Sequence, residues 1–177
     1  MRRAAEILCS TPGLAGLVVL ICALDRWSKD AVAEALALHS THEIVPGLFN
    51  LVHTRNTGIA FSLFADSGPL VRDWILPIAS AAAILLVLGY FWKLSKDATT
   101  VRIALALVLA GAAGNLIDRA MYGYVTDFLD VYVGSWHWPA FNVADSAITV
   151  GAGLLILDSL RKPASESAEG GAEAASG

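Results

Sequence analysis

The sequence predicts a mainly α membrane protein with four transmembrane helices. A small extracytoplasmic β-sheet is expected between spans 1 and 2, and a short surface helix between spans 3 and 4. Three observations carry this. Of 177 residues, 56% are hydrophobic and only 16% charged, where a soluble domain carries about 25% charge. The mean hydropathy is +0.61. Four apolar runs approach the roughly 20 residues needed to cross hydrocarbon. Spans are expected at 12–32, 71–93, 101–119 and 141–160 and the sheet at 39–64, all in one domain of residues 1–162; a disordered tail follows at 163–177.

The first span opens at Thr11-Pro12, a cap followed by a first helical residue. Residues 13–24 are uninterrupted apolar sequence, but twelve residues cover only about 18 Å, so the helix must continue through Asp25-Arg-Trp-Ser-Lys29. Asp25 and Lys29 stand i,i+4 with the acid first and face each other. Met1-Arg-Arg3 before an apolar run has the look of a signal peptide, but no small-residue cleavage site follows cleanly, so this segment reads as a retained span. Cys9 and Cys22 are too far apart on one helix for a disulfide.

Residues 39–64 change character. Pro46-Gly47, the alternation through Phe49, Leu51 and His53, and Asn56-Thr-Gly58 read as short strands and turns. His39, His42 and His53 lack the spacing of a metal-ligand motif. The chain is expected to need no metal or other cofactor and to bind no nucleic acid.

Between Trp74 and Trp92 lies the cleanest span, with no charge from Ile75 to Phe91 and a tryptophan at each interface. The third runs from Val101 to Ile117 and carries Gly111-Ala-Ala-Gly114, small residues that let helix backbones approach closely. Val125, Phe128, Leu129 and Tyr132 recur at i, i+3, i+4, i+7 and fit a short amphipathic surface helix, although Leu129, Val131 and Val133 also fit a strand. Trp136-His-Trp-Pro139 is interfacial. The fourth span follows, with Asn142 and Asp145 in its first turns, where the helix dipole favours a carboxylate, and it closes at Arg161-Lys162-Pro163. Three glutamates of the tail, Glu166, Glu169 and Glu173, make the net charge of −4 uninformative.

Four spans put both termini on one side. Seven basic residues flank that side (Arg2, Arg3, Lys93, Lys96, Arg102, Arg161, Lys162) against five on the other (Arg26, Lys29, Arg55, Arg72, Arg119). The expected orientation has both termini in the cytoplasm.

Asp118, Asp127, Asp130 and Asp145 fall within residues 111–145, at or near membrane boundaries. Carboxylates beside hydrocarbon need a partner, a proton or a function. Asp127 lies just outside the third span and Asp145 just inside the fourth, so the two can meet. Two close carboxylates share a proton, one acting as base toward water and the other as acid. From spacing alone, an N-cap acid and a loop acid are the more common explanation of such a pair.

The motifs go further. Asp25-Arg-Trp-Ser-Lys29, Asn56-Thr-Gly58-Ile-Ala60-Phe61, Gly111-Ala-Ala-Gly114-Asn115-Leu-Ile-Asp118-Arg119, Gly123-Tyr-Val125-Thr-Asp127-Phe128 and Phe141-Asn142-Val-Ala144-Asp145-Ser146 stand in order. Over residues 13–162 the chain resembles the lipoprotein signal peptidases (signal peptidase II). The resemblance implies an aspartyl endopeptidase of the bacterial cytoplasmic (inner) membrane, which cleaves prolipoproteins before a diacylglyceryl-modified cysteine. It implies Asp127 and Asp145 as the catalytic pair, and Asn56, Gly58, Asn115, Arg119 and Asn142 as groups holding the substrate backbone and lipid carbonyls. Asp25 and Lys29 would support the site. Asp118, beside Arg119, would have an ion-paired role, and Asp130, outside the motifs, would be solvated. Membrane lipid is an implied partner and globomycin-type compounds are implied inhibitors. The chain departs from the family pattern at Arg26-Trp27, Ile59, Ala110 and Thr126; none of these removes a motif carboxylate or asparagine.

Two other classes compete. A proton-coupled transporter would want paired broken helices and acids crossing the membrane; here the motif acids crowd one face. A membrane phosphatase would want several basic residues converging on phosphate, and only Arg55 and Arg119 are near.

Overall fold

The computed structural model describes residues 11–58, 68, 70–95 and 98–161. Helix α1 (Thr11–Ala35) leads into strands β1 (Thr41–Val45) and β2 (Phe49–Asn56). A π-helical turn at Val71–Ile75 runs into α2 (Leu76–Lys93), followed by α3 (Thr99–Tyr122), β3 (Val125–Val133), β4 (Trp136–His137) and α4 (Val143–Arg161). Among the described residues, three helical stretches are long and apolar enough to cross a membrane: Asp73–Lys93, Thr99–Tyr122 and Val143–Arg161. They match the expected second, third and fourth spans. α1 is long enough at 25 residues, about 37 Å, but it carries five charges between Asp25 and Glu34. The chain is a multi-pass membrane protein.

Helices α3 and α4 pack through glycine. A Cβ on Gly111 would stand 2.2 Å from the Ala144 carbonyl oxygen, and one on Gly151 would stand 2.6 Å from that of Ala104. The run of small residues in α3 therefore serves backbone approach. Gly123, at φ 75°, ends α3, its N–H bonding back to the Arg119 carbonyl.

The strands form one antiparallel sheet in the order β1-β2-β3-β4. This corrects two expectations. The segment from Val125 to Val133 is a strand and not a surface helix, and the sheet draws on both connections rather than on residues 39–64 alone. The 3.6-residue pattern of Val125, Phe128, Leu129 and Tyr132 was coincidental with a β-branched segment. β3 finds a partner in β2, with Asn56 opposite Val125, Thr54 opposite Asp127 and Leu51 opposite Leu129. Cross-strand pairing supplied by a distant segment overrides a local period. The far end of the expected sheet, with Ile59, Ala60 and Phe61, and the tail at 163–177 lie outside the described residues.

Of the three histidines weighed as metal ligands, His53 is structural. Its Nδ1 donates to the Leu36 carbonyl at 2.9 Å, and its backbone carbonyl accepts from the N–H of His39 at 2.7 Å.

Candidate active site

The start of α4 is the hub. Asn142 precedes its first turn and Asp145 stands three residues on. The Asn142 side-chain oxygen accepts from the Asp145 N–H at 2.9 Å, and Asp145 Oδ2 accepts from the Asn142 N–H at 3.3 Å. This reciprocal pair is a capping box, with Asn and Asp in place of Ser and Glu. A third group joins it: Asp25 of α1 accepts from the Ala144 N–H at 2.9 Å. Asp145 is thus a capping acid, and that reading stands. Its other oxygen is committed elsewhere, accepting from Asn115 Nδ2 at 2.8 Å.

Asp127 reaches the same place from β3. Asn142 Nδ2 donates to its Oδ1 at 2.7 Å, and Asn56 Nδ2 donates to its Oδ2 at 3.0 Å. The side chain is only 3% exposed. Burial, and then the charge of Asp145, push its pKa from 3.8 up to about 7, against the two amide hydrogen bonds. At neutral pH, Asp127 is poised between acid and carboxylate.

Beneath the pair lies a closed ionic cluster. Lys29, fully buried, sits 2.6 Å from Asp25 Oδ2 and 2.7 Å from Asp118 Oδ2. It also donates to Asn115 Oδ1 at 3.2 Å. Because an ammonium can only donate, it fixes Asn115 with its oxygen toward Lys29 and its NH₂ toward Asp145. Gly114 leaves room for this: a Cβ there would lie 2.9 Å from Asp25 Oδ2. Asp118 is ion-paired as expected, but its partners are Lys29 and Arg26, the latter at 2.8 Å, and not Arg119. Arg26 was legible only as a departure from the family pattern; it also pairs with Asp30 on its own helix.

Arg119 points to the other side. Its Nη2 donates to the Gly58 carbonyl at 2.7 Å and its Nη1 to the Asn115 carbonyl at 3.3 Å. Gly58 is held in turn by Asn56, whose side-chain oxygen accepts its N–H at 2.9 Å, the local turn that Asn favours. Asn56 and Gly58 therefore have a turn role as well as a place in the site.

Asn56, Asn115, Arg119, Asp127 and Asp145 line one open cavity of about 470 Å³. Its remaining wall is largely apolar, with Val125, Trp138, Pro139, Phe141, Ile148 and Val150. Sequence reading missed this wall; the nearest signal was the aromatic run before Pro139. Asp25, Lys29 and Asp118 do not reach the cavity and act from behind it. One expectation fails outright. Asp130 is not solvated but 7% exposed, accepting from Asn50 Nδ2 at 2.8 Å and from His137 Nδ1 at 3.0 Å. Its partners come from β2 and β4, which no local signal announces.

Comparison with known proteins agrees with the geometry. Residues 17–161 match the family described as signal peptidase (SPase) II. A lipoprotein signal peptidase of Paraburkholderia phymatum is 48% identical over 147 residues, covering 83% of this chain and 87% of that protein. One of Solibacter usitatus is 44% identical over 146 residues, covering 82% and 89%. A bacterial membrane enzyme solved by the in meso method superposes with a TM-score of 0.74 at 28% identity, over 86% of this chain and 96% of that one. With the family model matching residues 17–161 and relatives 44% and 48% identical over most of the chain, the chain belongs to the signal peptidase II family.

Proposed function

We propose that the chain is an aspartyl endopeptidase in which Asp127 and Asp145 form the catalytic pair. As a signal peptidase II it removes signal peptides from prolipoproteins. The observation that carries the mechanism is that two carboxylates from different elements, each held by side-chain amides, open into one cavity whose other wall is apolar. The scissile bond is the one before a diacylglyceryl-modified cysteine. The apolar wall suits the acyl chains, which enter from the membrane. Arg119 and the asparagines Asn56 and Asn115 hold backbone and ester carbonyls from the cavity wall, while the fully buried Asn142 positions Asp127 and Asp145 from behind and Gly58 positions Arg119. Globomycin-type compounds would occupy the same cavity.

The pair carries one proton. Asp145, served by Asn115 and by the first turn of α4, is the carboxylate that takes a proton from water. Asp127 gives its proton to the carbonyl oxygen as the water oxygen bonds to carbon. When the tetrahedral intermediate collapses, the C–N bond breaks and the departing amine is protonated by Asp145, while Asp127 regains its proton. Lys29 stands behind both and orients Asn115.

In this reading α1 is the first of four spans, residues 1–162 form one domain, both termini lie in the cytoplasm, and the membrane is the bacterial inner one. Asp25 to Lys29 then lie at the outer boundary, where their charges are closed among themselves. The test is cleavage of a diacylglyceryl-modified prolipoprotein and of its unlipidated form by purified protein, with the new N-terminus mapped by mass spectrometry. The expected product begins at the lipidated cysteine. Equal cleavage of both forms, or a cut elsewhere, would overturn the substrate assignment.

A further inference from the structure

The hydrolysis makes no use of Asp130, a buried carboxylate. It lies three residues beyond Asp127 on β3, so the two point to opposite faces of the sheet. Asp127 faces the cavity. On the other face a line of polar side chains crosses all four strands. Asn50 of β2 donates to Asp130 at 2.8 Å. His137 of β4 donates to it from Nδ1, with both carboxylate oxygens at 3.0 Å. The His137 ring stacks on Tyr132, their centroids 5.0 Å apart and their planes 9° from parallel. The Tyr132 hydroxyl donates to Glu43 of β1 and accepts from the Gly47 N–H at 2.8 Å.

What this line holds is β4. The strand has two residues, Trp136 and His137, paired with Val133 and Tyr132 across a turn at Gly134. So short a hairpin is marginal by itself. The next residue, Trp138, turns away from His137 by strand alternation and lines the cavity with Pro139, Ala140 and Phe141. Trp138 is tied to β3 by its N–H, which donates to the Val131 carbonyl at 2.8 Å. Phe141 is tied more firmly: its carbonyl accepts from the N–H groups of Phe128 and Leu129, and its N–H donates to the Leu129 carbonyl, all at 2.8 to 3.0 Å. A shift at His137 therefore reaches Trp138 and stops at Phe141, short of Asn142 and Asp145.

With the aspartate cavity taken as the substrate site, an assignment on which this inference rests, we propose that His137 is a positioning residue. Through its hydrogen bond to Asp130 it sets Trp138 against the diacylglyceryl group of the substrate. An indole offers a large, rigid apolar face, and its contribution to binding depends on where its backbone stands. When β4 swings free, substrate binding weakens, while the aspartate pair, fixed beyond Phe141, keeps its rate.

The experiment is steady-state cleavage of a diacylglyceryl-modified prolipoprotein by the purified full chain in detergent, with kcat and KM separated and a melting curve for each variant. His137→Ala should raise KM about tenfold, the worth of a hydrogen bond to a charged group, with kcat within about twofold of wild type. His137→Gln, which keeps a donor for Asp130, should hold KM near the wild-type value. His137→Phe keeps the ring on Tyr132 and drops the donor; it should raise KM as alanine does, and it decides the matter if the alanine protein does not fold. Trp138→Ala should raise KM at least as much. Adding His137→Ala to it should change KM no further, because the histidine acts through the tryptophan. An unchanged KM in folded His137→Ala or His137→Phe, beside a wild type that cleaves normally, overturns this proposal alone. So do a fall in kcat in place of the rise in KM, additive effects in the double variant, or a His137→Gln protein that behaves like the alanine one. A wild type that cleaves no lipidated prolipoprotein would overturn the substrate assignment, and this proposal with it.

Discussion

Replacing Gly111 by alanine tests how closely the position of Asp145 depends on the contact between α3 and α4. The added Cβ would stand 2.2 Å from the Ala144 carbonyl oxygen and 2.7 Å from a side-chain carbon of Ile148. Ordinary carbon contacts lie at about 3.5–4.0 Å. The obstacle is backbone, so no rotamer relieves it, and the helices must part by roughly 1 Å. Overpacking of this kind costs about 1–3 kcal/mol. Asp145 follows Ala144 directly, so it moves with the displaced turn, and a misplacement of about 1 Å lowers turnover by about 10²-fold. Gly153→Ala is the matched control on α4: nothing lies within 4 Å of its added Cβ, and alanine favours a helix by about 0.5–1 kcal/mol. The assay is the rate of prolipoprotein cleavage in detergent with a melting curve for each variant. The expectation is a folded but slow Gly111→Ala beside a normal Gly153→Ala. Equal rates in the two variants would refute the argument that close helix contact sets the geometry of the pair.

Asp127 makes stability depend on pH in an unusual sense. Its folded pKa of about 7 exceeds the unfolded 3.8, so the folded state holds the proton longer. Its contribution is fully present below about pH 4 and is lost as pH rises through about 7, by about 4 kcal/mol for a shift of about three units. Asp127→Asn should flatten the melting temperature between pH 5 and 8; an unchanged slope would place the titration elsewhere. For activity, the rate should fall as pH rises through about 7, because the pair then loses its shared proton, and a rate still climbing at pH 9 would contradict that. Lys29→Met leaves Asp25 and Asp118 buried without their shared cation and should destabilise the fold by about 3–5 kcal/mol, seen as a large drop in melting temperature; a shift near zero would mean water replaces the ammonium. Asp118→Asn should weaken stability or binding while turnover persists. Complete loss of turnover with intact substrate binding would exchange its role with that of Asp127.

Much of this site was legible because its residues lie at the ends of strongly apolar segments. Asn115, Asp118 and Arg119 close one span and Asn142 and Asp145 open another, so charge at a hydropathy boundary marked them. Turn chemistry marked Asn56 and Gly58, and i,i+4 spacing marked Asp25 with Lys29. Long-range partners were not legible. That β3 would leave its helical period to pair with β2, that Arg26 would reach Asp118, and that Asp130 would be buried against Asn50 are all settled by segments about 70 to 90 residues away.

The central claim is that Asp127 and Asp145 together perform the hydrolysis. The most direct measurement is turnover of a lipidated prolipoprotein by Asp127→Asn and Asp145→Asn, with substrate binding and melting temperature measured on the same preparations. Both variants should fold and bind yet show no turnover above background. A folded Asp145→Asn protein that still cut at the lipidated cysteine would contradict the mechanism at its core.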